Sequence, residues 1–470
     1  MRKSSQVWLP ILLVSLATAI ASAQSFRVQC PTFTLTHPTA ANNNSEPAYT
    51  GATNVNGAIK CQQISGGDGY STMGDGTQTY MFSFGPLSGL ADIANGLPGT
   101  QFPSVFNTIY GGTFVPGDPA TSDNAAPSGN GPTGLGYNGA VGLILDTTGN
   151  TATASAGHVD PRPIEDVGVM NGNIPAPLFA IDEDDEFFLT LTNVGMIMRP
   201  DLFEQHTVHF HGYPNASSFY DGVPDASVAI NIGGSFTYYY LAPDAGTYFW
   251  HCHITPPEHL QMGMVGQIYV RPRQDRVPAG GDLYTYLGYQ ETDNRTKCDS
   301  SQDILCSNPL PAINTAATNT AAVYSAAVSG TNGPRPGYAY NDGDGSTYYD
   351  VEYPIQIHGF DPNFHFVGMT FNPEGFVDMK DKYFLLNGRS YPDTVTPGPL
   401  ATQSADGVLH YSQPLPTIIT ITAGQRALLR ISDLDVTEFQ TLASLGIPMQ
   451  VVALNAKLLR DQAGNNLYYT

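Results

Sequence analysis

The chain has 470 residues, 41 Asp and Glu against 19 Lys and Arg, and a net charge of −22. That acidity argues against nucleic acid or an anionic membrane as a partner. The length suffices for two or three domains with substantial cores.

In chain order, Arg2 and Lys3 precede the apolar run VWLPILLVSLATAIA and the small-residue step Ala21-Ser22-Ala23. This pattern predicts a secretory signal over 1–23, with Gln24 as the mature start and an exported, periplasmic or extracellular protein. No later stretch is apolar enough to span a bilayer. In an exported chain Cys30 pairs with Cys61 and Cys298 with Cys306, which leaves Cys252 as the odd thiol.

Residues 24–77 read as an irregular N-terminal segment, and QTYMFSFGPL (78–87) as a candidate first strand. A Gly/Asn/Pro/Thr-rich stretch, about 95–160, reads as a long insertion within a strand-rich unit over 78–272. EFFLTLTNV, SFTYYYLAP, GTYFWHCHI and GQIYVRP supply that unit's alternating segments. A loop-rich connector follows over 273–350, then a second strand-rich unit over 351–470, with TIITITAG and QRALLRIS as strands. Short alternating strands between turn residues predict an all-β protein of antiparallel sandwiches. The acidic run IDEDDEFF (181–188) reads as a solvated turn before a strand. NDGDGSTYYD (341–350) reads as a turn rather than a calcium loop, because the closing Glu is missing.

Six of the eleven histidines fall in two windows, HTVHFHG (206–212) and HCHITPPEHLQMGM (251–264). Strand side chains alternate between faces. If the two windows are neighbouring strands, His206 and Cys252 share the inner face. His209, His211, His251 and His253 then share the outer one. His259 and Met264, with Met262 competing, offer the inner group two more donors. Two His, one Cys thiolate and a weak Met form the blue-copper arrangement. Structural zinc usually takes more thiolates, and a Cys–His nucleophile leaves the other histidines unexplained. Asp221, between the windows, either supports a ligand or makes an Asp-Gly turn. His358 and His365 read as structural.

These motifs resemble the multicopper oxidases, the family of laccases and ascorbate oxidase. HTVHFHG is similar to the family's His-x-x-His-x-His-Gly, and HCH…HLQMGM to its His-Cys-His followed by His and an axial Met. The resemblance is dense over about 171–272 and weaker over the second unit, where YFLLNGRSYPDTV is similar to a domain start. It implies tandem cupredoxin-like Greek-key β-sandwich domains, the last one incomplete. It implies type 1 copper on His206, Cys252, His259 and Met264, and half of a type 2/type 3 trinuclear copper cluster on His209, His211, His251 and His253. Cys252, His251 and His253 are then the electron path to O2, with a phenol or Mn/Fe/Cu ion as the reducing substrate.

Two departures stand out. Five residues rather than three separate His-Cys-His from His259. Two His-x-His pairs are present where the family uses four, so a missing C-terminal domain or a neighbouring subunit is expected to supply the rest. The competing readings are a non-enzymatic electron-transfer cupredoxin and a copper nitrite reductase-like enzyme. Resemblance to the latter family would imply one type 2 copper and a non-His residue at the positions matching His209 and His253, so the extra histidines argue against it.

Overall fold

The structure is a computed structural model. It describes residues 30–51, 57–89, 92–93, 95–107, 171–196, 198–213, 217–292, 310–311, 317–319, 335–368, 375–403 and 409–470. The signal sequence, nearly all of the 95–160 insertion, His158, the side chain of His410 and the Cys298/Cys306 pair lie outside these residues.

Alternation builds the first strand-rich unit as expected. In SFTYYYL, Tyr238 and Tyr240 are buried while Thr237, Tyr239 and Leu241 are partly exposed. In GTYFWH, Tyr248 and Trp250 point inward. Eight strands form two sheets: β1 (Ile59–Thr72), β2 (Gln78–Pro86), β3 (Phe179–Asp182), β4 (Glu186–Gly195), β5 (His209–His211), β6 (Ser235–Leu241), β7 (Gly246–His251) and β8 (Val265–Arg271). One sheet has the order β2-β1-β4-β6 and the other β3-β8-β7-β5. Each mixes parallel and antiparallel pairs. Phe82, Phe84, Leu189 and Tyr238 of the first sheet meet Phe179, Phe210, Trp250 and Ile268 of the second in one core. Trp250 stacks on Phe179 at 4.3 Å. Cys252, Met262 and Met264 belong to the same core.

Four expectations are corrected. Residues 59–72 are not irregular: they form β1, the inner strand between β2 and β4, so QTYMFSFGPL is the second strand. The run SGGDG disguises β1, because glycine reads as a turn. Its glycines instead allow close backbone approach: a Cβ on Gly69 would lie 2.2 Å from Gly172 O. Next, TIITITAG (417–424) forms no strand. Its Ile418 and Ile421 are exposed, and alternation without a neighbouring strand leaves a ladder unmade. The sheets are also not purely antiparallel, as β1–β4 and β3–β8 run parallel.

The fourth correction concerns IDEDDEFF, which is a turn but not a solvated one. Asp182, Glu183, Asp184, Asp185 and Glu186 are all buried. Asp184, at φ 76°, receives Arg273 through both carboxylate oxygens at 2.6 and 2.8 Å, and Arg276 at 2.8 Å. Asp182 meets Arg335 at 2.6 Å. Asp185 accepts from the backbone N–H of Asp182 and Ala58, and Glu186 meets His37 at 2.6 Å. The 341–350 turn satisfies itself, with Asp342 accepting from the N–H groups of Asp344, Gly345 and Thr347.

The second unit is a smaller sheet. Its strand Val351–Phe360 runs antiparallel to Tyr383–Leu386 and parallel to Ala427–Asp433. It docks on β8 through Arg271–Glu352 and Arg430–Glu352 ion pairs and Gln267 Nε2 donating to Arg430 O. The N-terminal segment is tied to β1 by the Cys30–Cys61 disulfide.

Removing one carboxylate from a buried ionic cluster strands its cationic partners. Asp184→Ala is therefore expected to destabilise the fold by about 3–5 kcal/mol, read from denaturant unfolding. Asp184→Asn, which keeps the acceptor and tolerates positive φ, is expected to cost less. Equal, near-zero losses for both would refute the assigned role.

Candidate metal centre

Strands β5 and β7 are neighbours, with His209 opposite His251 and His211 opposite Phe249. The sequence windows therefore sort as their alternation predicts. His206, Cys252 and His259 converge, with one ligand atom of each within 4.8 Å of the others. All three are fully buried. On the other side, His209, His211 and His251 form a second group within the same limit. His253 joins it, its ring centroid 5.0 Å from that of His209 and 5.6 Å from that of His251.

The inner group is built from three elements. His206 lies just before β5 in a backbone bridge to Ile230. A Cβ on Gly66 of β1 would sit 2.7 Å from the His206 ring, so only glycine leaves room for that ring. Cys252 follows β7, its N–H donating to Met264 O at 3.1 Å. His259 rides on helix α1 (Pro256–Met262), which opens with two prolines and ends at Gly263 in the left-handed region. Proline suits the first helical positions because its missing N–H is not needed there. The longer spacing before His259 is thus a helical turn that carries the imidazole back to the thiol.

Burial pushes the Cys252 thiol up, yet the His259 and His206 imidazoles outweigh it and hold the group well below the usual thiol range. His259 Nδ1 lies 3.3 Å from Sγ, and Thr207 N–H donates to Sγ at 3.4 Å. Burial lowers His259, but Cys252 and Glu204 raise it to about 9. Burial pushes His206 down, and neither of its ring nitrogens meets a hydrogen-bonding oxygen or nitrogen. A fully buried imidazole without such a partner is costly unless something else uses its lone pair. A soft thiolate, two imidazoles and two buried thioethers nearby fit copper, and one thiolate fits structural zinc poorly.

The outer group is fixed by backbone carbonyls. His251 Nδ1 donates to Cys252 O at 2.7 Å and His209 Nδ1 to Asp221 O at 2.7 Å. In both rings this leaves the Nε2 lone pair for a ligand. Burial first, then the neighbouring histidines, hold His251 down at about 3. It is therefore neutral at neutral pH. Burial and the neighbouring His209 and His253 also push His211 down. His211 stacks on Phe249 at 4.4 Å.

Asp221 thus both supports a ligand and makes the turn before Gly222, whose φ is 82°. Met262 and Met264 are both fully buried in the core that holds Cys252. His37, His358 and His365 join neither group. His37 pairs with Glu186, while His358 and His365 contact backbone carbonyls.

Three residues were not anticipated. Glu204 places Oε2 3.5 Å from His259 Nε2. It lies two positions before His206, so strand alternation could have found it. Thr207 accepts from His253 N–H at 3.0 Å through its hydroxyl while its own N–H faces Sγ, so it touches both groups. Gly66 carries no signal in sequence that it lies against His206.

A family profile described as multicopper oxidase matches residues 152–275. Laccase abr2 of Aspergillus fumigatus is 33% identical over 109 residues, covering 23% of this chain and 17% of that protein. A copper-containing nitrite reductase of Rhizobium meliloti is 33% identical over 122 residues, covering 25% of this chain and 29% of its own. The chain therefore spans less than a third of the length of either relative. A solved structure titled Multicopper Oxidase mgLAC aligns over 72% of this chain and 56% of its own, at 15% identity and a TM-score of 0.32. The family match over 152–275 takes in β3 to β8 and both histidine groups, and it makes that stretch a multicopper oxidase domain.

Proposed function

We propose that the protein is an exported copper oxidase that takes single electrons from a phenolic or metal-ion donor and reduces O2 to water. The observation that carries this reading is the position of Cys252. Its sulfur lies in the inner group, while its covalent neighbours His251 and His253 lie in the outer one. His206, Cys252 and His259 would hold a type 1 copper. Met264 rather than Met262 would supply the thioether: its carbonyl pairs with Cys252 N–H, so the two residues are opposite one another and their side chains share a side. Met262 instead lies in the last turn of α1. His209, His211, His251 and His253 would hold half of a type 2/type 3 cluster. Copper, when bound, supplies one-electron transfer at the inner group and O2 reduction at the outer one.

The protein's own part is positional. Cys252 Cα links the thiolate to both neighbouring histidines through a short run of covalent bonds. The carbonyls of Cys252 and Asp221 hold two outer rings in one tautomer. Glu204 faces the Nε2 edge of His259, on the partly exposed side of the inner group, where a reducing substrate would approach. The outer group holds four imidazoles, so this reading needs four more from a further domain or a neighbouring subunit. Among the described residues, His37, His358 and His365 are engaged elsewhere. Export is supported by the Cys30–Cys61 disulfide, because such bonds persist in oxidising compartments. Among the described residues, no helix is long and apolar enough to cross a membrane.

The similarity to a copper nitrite reductase over 122 residues favours a second reading. Four outward imidazoles count against it, since one mononuclear site does not use them.

Copper titration followed by absorption spectroscopy tests the inner group. An intense thiolate-to-copper band is expected, abolished by Cys252→Ser; a wild-type protein without the band would exclude the reading. For the outer group, the double variant His209→Ala/His211→Ala is expected to keep the band and lose copper that does not contribute to it. An unchanged copper count by metal analysis would remove the outer group as a metal site. Oxygen uptake with a phenol and with Fe(II) or Mn(II), on protein that includes the partner domain or subunit, separates an oxidase from an electron carrier.

A further inference from the structure

The short helix that carries His259 is closed by its own chain and gripped again from outside. The turn through Gly263, at φ 117°, lets Gly263 N–H donate to Leu260 O at 3.0 Å and Met264 N–H to His259 O at 2.9 Å. The second unit adds contacts at the last carbonyls. His358, on the strand Val351–Phe360, donates from Nε2 to Leu260 O at 2.8 Å. His365, on helix α2 (Pro362–Gly368), sets Nε2 2.9 Å from Gln261 O. The Gln261 side chain is gripped from the same unit: Asp361 N–H donates to its Oε1 at 3.0 Å, and its Nε2 donates to Asp381 Oδ1 at 3.0 Å.

His365 also reaches the other wall of the inner group. Its Nδ1 lies 2.6 Å from Tyr80 O on β2. Two residues along β2, Phe82 sets its ring edge-on to His259 at 5.1 Å and lies 6.4 Å from His206. The His365 ring therefore stands between the strand that packs on the imidazoles and the helix that carries one of them. It is held there by stacking on Phe360 at 3.7 Å and 15°. His365 is fully buried and His358 nearly so.

We infer that His358 and His365 are positioning residues for the proposed type 1 site, through which the second unit sets the placement of His259 relative to Cys252. The inference rests on the copper reading above. A ring whose carrier helix is gripped from a different unit keeps its angle to the thiolate only while that grip lasts. Outer partners of this kind tune a metal site without touching the metal.

The test uses the whole chain. His365→Ala removes the ring from between the two carbonyls, and His365→Gln offers a smaller donor toward Gln261 O. Cu(II) affinity, the energy and intensity of the thiolate-to-copper band, and the copper EPR splitting are compared with wild type. Apo-protein melting is recorded in parallel. The expected result is a shifted or weakened band and roughly 10-fold weaker copper binding in His365→Ala, with partial recovery in His365→Gln. A lower melting temperature with unchanged band, splitting and affinity would make the pair merely structural and overturn the inference. Should His365→Ala not fold, His358→Ala removes a single bond and is judged on the same readouts. Absence of the band in wild type would instead fail the copper reading itself, so the two failures are told apart.

Discussion

Side chains on a strand alternate, and β5 and β7 are paired so that His209 faces His251. Most of the arrangement follows from that one register. With it fixed, Cys252 turns into the core beside His206, while His251 and His253 turn out beside His209 and His211. A slip of one residue would move the thiol outward and the imidazoles inward. Neither group would then exist, since a His251 turned toward the core and a Cys252 turned away from it lack partners on those sides. The chemistry is therefore a consequence of strand pairing before it is one of any single residue.

Burial then gives the two groups different properties. The inner one is wholly enclosed, so its thiolate is maintained only because two imidazoles face it. The outer one is graded, from buried His251 to exposed His211. Desolvation first, then repulsion from neighbouring histidines, pushes His251 and His211 down toward the neutral form. Neutral imidazole is the form that donates a lone pair to a metal. Thr207 touches both groups, so displacement of the thiol and of His253 are not independent events.

Much of this was legible in the sequence, where the signal was local. The alternation in HTVHFHG and HCH is a short-range pattern, and so is that of SFTYYYL. Illegible features were those whose partners lie far along the chain. The acidic run 181–188 looks solvated until Arg273, Arg276 and Arg335 arrive from some 90 and 150 residues away. The run RPRQDR (271–276) was the available hint, with three arginines in six residues. β1 was hidden because its glycines answer to Gly172 and His206, which no window of β1 contains. TIITITAG erred the other way, since its pattern was right but no neighbouring strand completes it. His358 and His365 were legible as structural histidines but not as contacts of α1.

The buried charges and the two histidine groups are joined through β8. The strand begins at Val265, next to Met264 and opposite His251, and ends at Arg271, where the arginine-rich turn enters the ionic cluster. β3 runs alongside it and ends at Asp182 in the same cluster. β8 is thus pinned at one end by ion pairs and at the other by the turn through Gly263. A slip against β7 would break the Arg273–Asp184 and Arg271–Glu352 pairs while displacing Met264 from Cys252. Breaking buried pairs costs several kcal/mol even where forming them adds little net stability. That asymmetry suits a structure in which register, more than stability, decides function. The buried acidic turn is best understood as a register lock for the strand that runs beside the thiolate.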